Sequence, residues 1–168
     1  DLSEELKPPQ RLSEDRAIHL LQEILEIVSF IHKKNIIHCD INPSNLIRCT
    51  SDSKLVLIDF GSAKQIGIPG TNSANQVQAS IPDYAPAEQK NGNPQFSSDI
   101  YAVGIIAMQG LTGVAAKDIS RDPNTSEIIW PSGTKPSPKL QEIMEKMVHP
   151  NFRERYQSAE DVWAALTK

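Results

Sequence analysis

Three oxygen-bearing side chains, Asp40, Asn45 and Asp59, stand where they could act on a common group. Asp40 and Asn45 lie in the stretch His38-Cys39-Asp40-Ile41-Asn42-Pro43-Ser44-Asn45, and Asp59 follows the apolar run Leu55-Val56-Leu57-Ile58. One carboxylate can orient an alcohol and accept its proton. A second carboxylate with an amide oxygen offers hard ligands to magnesium, which takes few protein ligands and shares its other positions with phosphates and water. That is phosphoryl-transfer chemistry in outline, provided the chain brings the two stretches together. Taken singly, Asp and Asn are ordinary turn residues, because their side chains hydrogen-bond nearby backbone. An EF-hand reading of Asp40-x-Asn42-x-Ser44 fails, since Asn45 holds the glycine position and Ser51 the final glutamate position.

The elements that must position these groups follow from hydrophobic spacing. Ala17, Ile18, Leu21, Ile24, Leu25, Val28 and Ile31 recur at three- and four-residue steps, which predicts a helix over residues 14–34 behind the cap Ser13. Short runs at Ile36-Ile37, Leu46-Ile47 and Leu55–Ile58, separated by polar turns, predict small strands and a hairpin. The hairpin would carry Asn45 and Asp59 toward each other. Residues 61–95 show little periodicity and are expected to form a long loop, a site or a gate. Residues 98–111 are apolar nearly all round and predict a buried central helix. Asp122–Pro138 is rich in proline and expected to be irregular. Two more helices follow, one from about Pro138 to Val148 and one opening at Ser158, whose Ser-Ala-Glu-Asp sequence has the spacing of a capping box. Trp163, beside Val162 and near Leu166, is expected to fill the core.

Composition narrows the classes further. The 168 residues carry 17 basic and 21 acidic side chains, a formal net charge of −4. One domain of ordinary soluble composition is expected, mainly α with a small β-hairpin. Dispersed Lys and Arg give no basic stripe, so nucleic-acid binding is disfavoured. The longest strongly apolar stretch, Ala102–Met108, is far shorter than the roughly 18 residues of a membrane span. The opening Asp1-Leu2-Ser3-Glu4-Glu5 lacks a signal peptide's order of charge and apolarity. Cys39 and Cys49, with His32 and His38 nearby, match neither a disulfide framework nor a zinc spacing, which points to the reducing cytoplasm.

At this point a resemblance becomes specific. His38-Cys39-Asp40 followed by Asn45 resembles the catalytic loop of protein kinases, and Asp59-Phe60-Gly61, fourteen residues after Asn45, resembles their magnesium motif. Tyr84-Ala85-Pro86-Ala87-Glu88 is similar to the end of the activation segment, Asp99 to the start of the buried central helix, and Arg155 to the late arginine that pairs with Glu88. The wording around Ser98–Gly104 and Leu111-Thr112-Gly113 is similar to bacterial serine/threonine kinases of the cyanobacterial type. The resemblance implies a protein-kinase-like C-terminal lobe over residues 1–168: a catalytic loop at 38–45, an activation segment at 59–88 and a helical remainder at 98–168. It also implies Asp40 as base toward a protein hydroxyl, and Asn45 and Asp59 as ligands of the magnesium that accompanies ATP. Architectural roles go to His38, Phe60, Gly61, Glu88, Asp99 and Arg155.

Departures accompany the match. No G-x-G-x-x-G pattern occurs, and only 37 residues precede His38, so the nucleotide-binding N-terminal lobe is absent from this segment and transfer by the segment alone is not expected. Cys39 replaces an arginine that would receive an activation-loop phosphate. Asn42 replaces a lysine that would neutralise the transferring phosphate, and Ile81 a threonine that would bridge that lysine and the base. Thr71, Ser73 and Ser80 are read as solvated loop residues rather than phosphate acceptors. Two alternatives stay open: a pseudokinase, and an interaction module that binds partners without phosphoryl transfer.

Overall fold

A buried helix runs through the middle of the protein, and the other elements are arranged around it. In this computed structural model residues 1–67, 83–131, 133–134 and 136–168 are described. The helices are α1 (Leu2–Glu5), α2 (Glu14–His32), α3 (Ala87–Lys90), α4 (Phe96–Thr112), α5 (Pro138–Met147) and α6 (Ala159–Thr167). Among the described residues four short strands, β1 (Ile36–Ile37), β2 (Leu46–Arg48), β3 (Leu55–Leu57) and β4 (Lys64–Gln65), make two antiparallel pairs. Among the described residues no helix is long and apolar enough to cross a membrane.

Local chemistry accounts for the helices. Ser13 caps α2 by accepting the Arg16 N–H, and Glu14 and Asp15 sit in the first turn, where the helix dipole favours negative charge. The side chains of Ala17, Leu20, Leu21, Ile24, Leu25, Val28 and Ile31 form one buried stripe. That stripe packs on α4, where every residue from Ser97 to Thr112 except Tyr101 is buried. α5 and α6 close the core with Leu140, Ile143, Met144, Met147, Ala159 and Val162. Each fully buried Leu or Ile contributes roughly 1.5–3 kcal/mol through removal of apolar surface from water. Ser137 and Ser158 cap α5 and α6 by accepting the Leu140 and Asp161 N–H groups.

The β2–β3 hairpin pairs Leu46 with Leu57, Ile47 with Val56 and Arg48 with Leu55, so Asn45 and Ile58 meet at its open end. The stretch 61–95 is not wholly a loop. It contains β4, which pairs Lys64 with Ile37 and Gln65 with Ile36, and the one-turn α3. Backbone hydrogen bonds make both elements, and their polar side chains carry no periodic signal. α4 starts at Phe96, two residues before the expected position, and the Gln95 N–H is held by Ser98 Oγ at 3.0 Å. α1 was not foreseen; it folds because Leu2 and the following Leu6 reach the core.

Trp163 does not fill the core. On α6 only Ala159 and Val162 are buried, and Trp163, one residue after Val162, faces outward and is 39% exposed. With Phe30 it borders a surface groove floored by Leu25 and Ala159.

Gly104 marks a close approach of α4 to the end of α5. A Cβ there would lie 2.6 Å from Val148 Cγ1 and 3.1 Å from Met147 Cβ, so α4 could no longer touch the end of α5 without displacement. Gly104→Ala is expected to destabilise the protein by about 1–3 kcal/mol, the usual cost of overpacking, measured by urea denaturation. An unchanged midpoint would show that the helices part freely.

Candidate active site

The loop carrying Asp40 is fixed from below by α4. Asp99, in the first turn of that helix and 1% exposed, accepts the backbone N–H of His38 at 2.9 Å and of Cys39 at 3.0 Å. His32 Nε2 at the end of α2 donates to the same carboxylate at 2.9 Å. Cys39 itself has φ +65°, a left-handed conformation that costs a non-glycine residue roughly 1–2 kcal/mol. The backbone N–H bonds to Asp99, and one from Gln89 Nε2 to the Cys39 carbonyl, hold it there. The turn aims the next side chain, Asp40, out of the core.

Asp40 and Asn45 are in direct contact. Asn45 Nδ2 donates to Asp40 Oδ2 at 2.9 Å and to the Asp40 carbonyl at 2.8 Å. Asn42 Nδ2 donates to Asp40 Oδ1 at 3.1 Å and to the same carbonyl at 3.0 Å. Asp59 arrives through the backbone: the Ile58 N–H donates to the Asn45 carbonyl at 2.9 Å. His38, fully buried, joins the two stretches. Its Nδ1 accepts the Asp40 N–H at 3.3 Å, which leaves the proton on Nε2 to donate to the Ile58 carbonyl at 3.1 Å. The ring of Phe60 meets that of His38 edge-on at 4.7 Å. Asp59 is exposed and left-handed, φ +62°, and its carboxylate accepts the Gly61 N–H at 3.1 Å.

A buried ion pair ties the far end of this region to the helices. Arg155 donates to Glu88 through both terminal nitrogens, at 2.6 and 3.2 Å, and their side chains are 1% and 8% exposed. Arg155 also donates to the carbonyls of His149, Ser97 and Pro150, and stacks over Tyr101. Ser98 Oγ donates to Glu88 at 2.7 Å. Burial pushes the Glu88 carboxyl up, but the hydrogen bonds from Arg155 and Ser98 outweigh it and hold it below the usual value.

Residues 1–165 match the protein kinase domain. The chain belongs to the protein kinase family. It is 38% identical over 99% of its length to serine/threonine-protein kinase B of Synechocystis sp., and 35% identical over 98% to serine/threonine-protein kinase PknA of Nostoc sp.. It is 40% identical over 83% to serine/threonine-protein kinase C of Synechocystis sp.. The chain spans 30%, 30% and 27% of the lengths of these relatives.

In this protein kinase chain the structure brings Asp40 and Asn45 into one hydrogen-bonded unit and seats Asp59 one residue beyond Ile58. Phe60 and Gly61 form the turn that follows, and Glu88, Asp99 and Arg155 lie behind the site. Ile81, Thr71, Ser73 and Ser80 lie outside the described residues. Cys39 is a buried thiol pushed up to about 12, by burial first and then by the charge of Asp99, with partial relief from Lys64. It stays protonated and gives no support to a redox role. Sequence reasoning missed Gln89 and His32 as loop anchors. Gln89 stands next to Glu88 in a stretch without periodicity, and His32 differs in no visible way from any helix-end histidine.

The ion pair has a calculable consequence. Since the folded carboxyl of Glu88 titrates below its unfolded value of 4.5, its stabilisation is complete above that pH and disappears as pH falls through the folded value. Acid unfolding of the wild type should therefore steepen below that point, and Glu88→Gln should flatten the dependence. At neutral pH Arg155→Ala should lose about 3–5 kcal/mol in denaturant titrations, because Glu88 is left buried and unpaired. A loss below about 1 kcal/mol would place the pair in the solvated class.

Proposed function

We propose that this chain is the C-terminal lobe of a serine/threonine protein kinase that moves the terminal phosphoryl group of ATP to a protein hydroxyl. The observation that carries the reading is the Asp40–Asn45 hydrogen bond beside a backbone that delivers Asp59 to the same end of the hairpin. The nucleotide-binding lobe would be supplied by sequence outside this segment. Val56 and Ile58, alternating along the strand exit, and Phe60 expose 39–44% of their surface on that side, an apolar seat for such a lobe. Two free thiols fit a reducing cytoplasmic setting.

The donor set suits magnesium. Asn45 turns Nδ2 toward Asp40, so its Oδ1 end points away, and Asp59 offers an exposed carboxylate; both are hard oxygens. Magnesium held by Asn45 and Asp59 would supply positive charge against the phosphates of ATP. Asp40 orients the substrate hydroxyl and takes its proton as the oxygen bonds to the terminal phosphorus and the bond to the departing diphosphate oxygen breaks. His38 and Asp99 hold the loop for that encounter and do not touch the reacting atoms. Asn42 and Cys39, standing where cations are expected, favour a second reading, a lobe that binds partners without transferring phosphate.

The readings separate in the complete polypeptide with magnesium-ATP and a basic protein acceptor. Label transfer is expected, and Asp40→Ala should reduce it on the order of 10²–10⁴-fold, the usual range for a lost general base. Asp59→Ala should abolish it. Undiminished transfer in Asp40→Ala would remove Asp40 as base, and no transfer in the wild type would favour the second reading. For the 168 residues alone, ATP with magnesium should leave the melting temperature unchanged.

A further inference from the structure

Asn42 is 1% exposed, and both ends of its amide are engaged. Its Nδ2 reaches Asp40 Oδ1 and the Asp40 carbonyl, while its Oδ1 accepts the Ser44 N–H at 3.0 Å and the Ser44 hydroxyl. The opposite amide orientation would set oxygen against oxygen at Asp40, so the network fixes which end is which. Pro43 keeps residue 42 in the extended backbone that the arrangement needs, observed at φ −155°. Across the carboxylate, Asn45 Nδ2 holds Asp40 Oδ2.

We propose that Asn42 is a positioning residue for Asp40, one half of a two-amide clamp in which each carboxylate oxygen is held by a neutral N–H donor. The inference rests on the reading of Asp40 as base. Rotation of the carboxylate breaks hydrogen bonds on both sides, so the base is aimed before substrate arrives, with no cation at position 42. A base displaced from its reacting geometry loses rate rather than nucleotide affinity. Residue 42 therefore replaces a charge with an alignment device, and its substitution should act on kcat.

Asn42→Ser separates this role from a structural one. Serine keeps an oxygen that can cap the Ser44 N–H but cannot reach Asp40, and it adds no charge. In the complete polypeptide, Asn42→Ser should lower kcat on the order of tenfold with KM for ATP changed less than about twofold. Its melting temperature should fall less than that of Asn42→Ala, which loses the Ser44 cap as well. In the 168-residue chain, Asp40→Ala should shift the side-chain NH2 signals of both Asn42 and Asn45 in ¹H–¹⁵N spectra. A wild-type kcat in Asn42→Ser, a loss of kcat that merely tracks melting temperature across the two variants, or an unmoved Asn42 signal would overturn the clamp. Asp40→Asn, assayed in parallel, keeps the failures apart. Full activity there overturns the base reading itself, while inactivity there with a wild-type Asn42→Ser overturns only the clamp.

Discussion

The position of the loop that carries Asp40 depends on one buried carboxylate. Asp99 sits at the start of the most enclosed helix and gives its oxygens to two successive backbone N–H groups, so the left-handed turn at Cys39 is referenced to the core rather than to the surface. A buried carboxylate without donors would be costly, and an unsupported turn at a non-glycine residue would relax; each defect is cured by the other. His32 adds a third donor from α2, so the two longest helices converge on the same group. Precision at Asp40 is thus inherited from packing.

The site is built with few formal charges. Amides and backbone hold Asp40 among the described residues, and a fully enclosed ion pair, Glu88 with Arg155, is kept behind it. That division follows from dielectric: a salt bridge deep in the protein is stable only when every remaining donor finds an acceptor, and Arg155 meets this with three carbonyls and an aromatic face. Near a carboxylate proposed to accept a proton, neutral donors give orientation while leaving the charge in place.

Much of this was legible in the sequence because periodicity reports burial. α2, α4, α5 and α6 follow from apolar spacing and serine caps, and the hairpin follows from β-branched runs. The candidate site residues Asp40, Asn45 and Asp59 stood out as types at fixed intervals, and Glu88, Asp99 and Arg155 through resemblance. What escaped is made by tertiary contact: β4 exists because Ile36 and Ile37 offer it a backbone edge, α1 because Leu2 reaches the core, and the Gln89 anchor because a one-turn helix delivers it to Cys39. Trp163 was misplaced since a short helix leaves its angular phase undetermined. Asn42 showed in the sequence only as a missing lysine, because a hydrogen bond two residues along the chain leaves no pattern.

The pairing of β1 with β4 has only two rungs, Ile36 with Gln65 and Ile37 with Lys64. So short a ladder opens at small cost compared with the helices beneath it. The chain leaving Asp59 is thus held by two residue pairs, by the Ile66 N–H on the Asn35 carbonyl and by the Phe60 ring on His38, while His38 and Cys39 are moored to the buried Asp99. The two stretches that flank the site are therefore secured unequally: Asp40 hangs from a core carboxylate, and the chain from Phe60 onward from a short surface ladder.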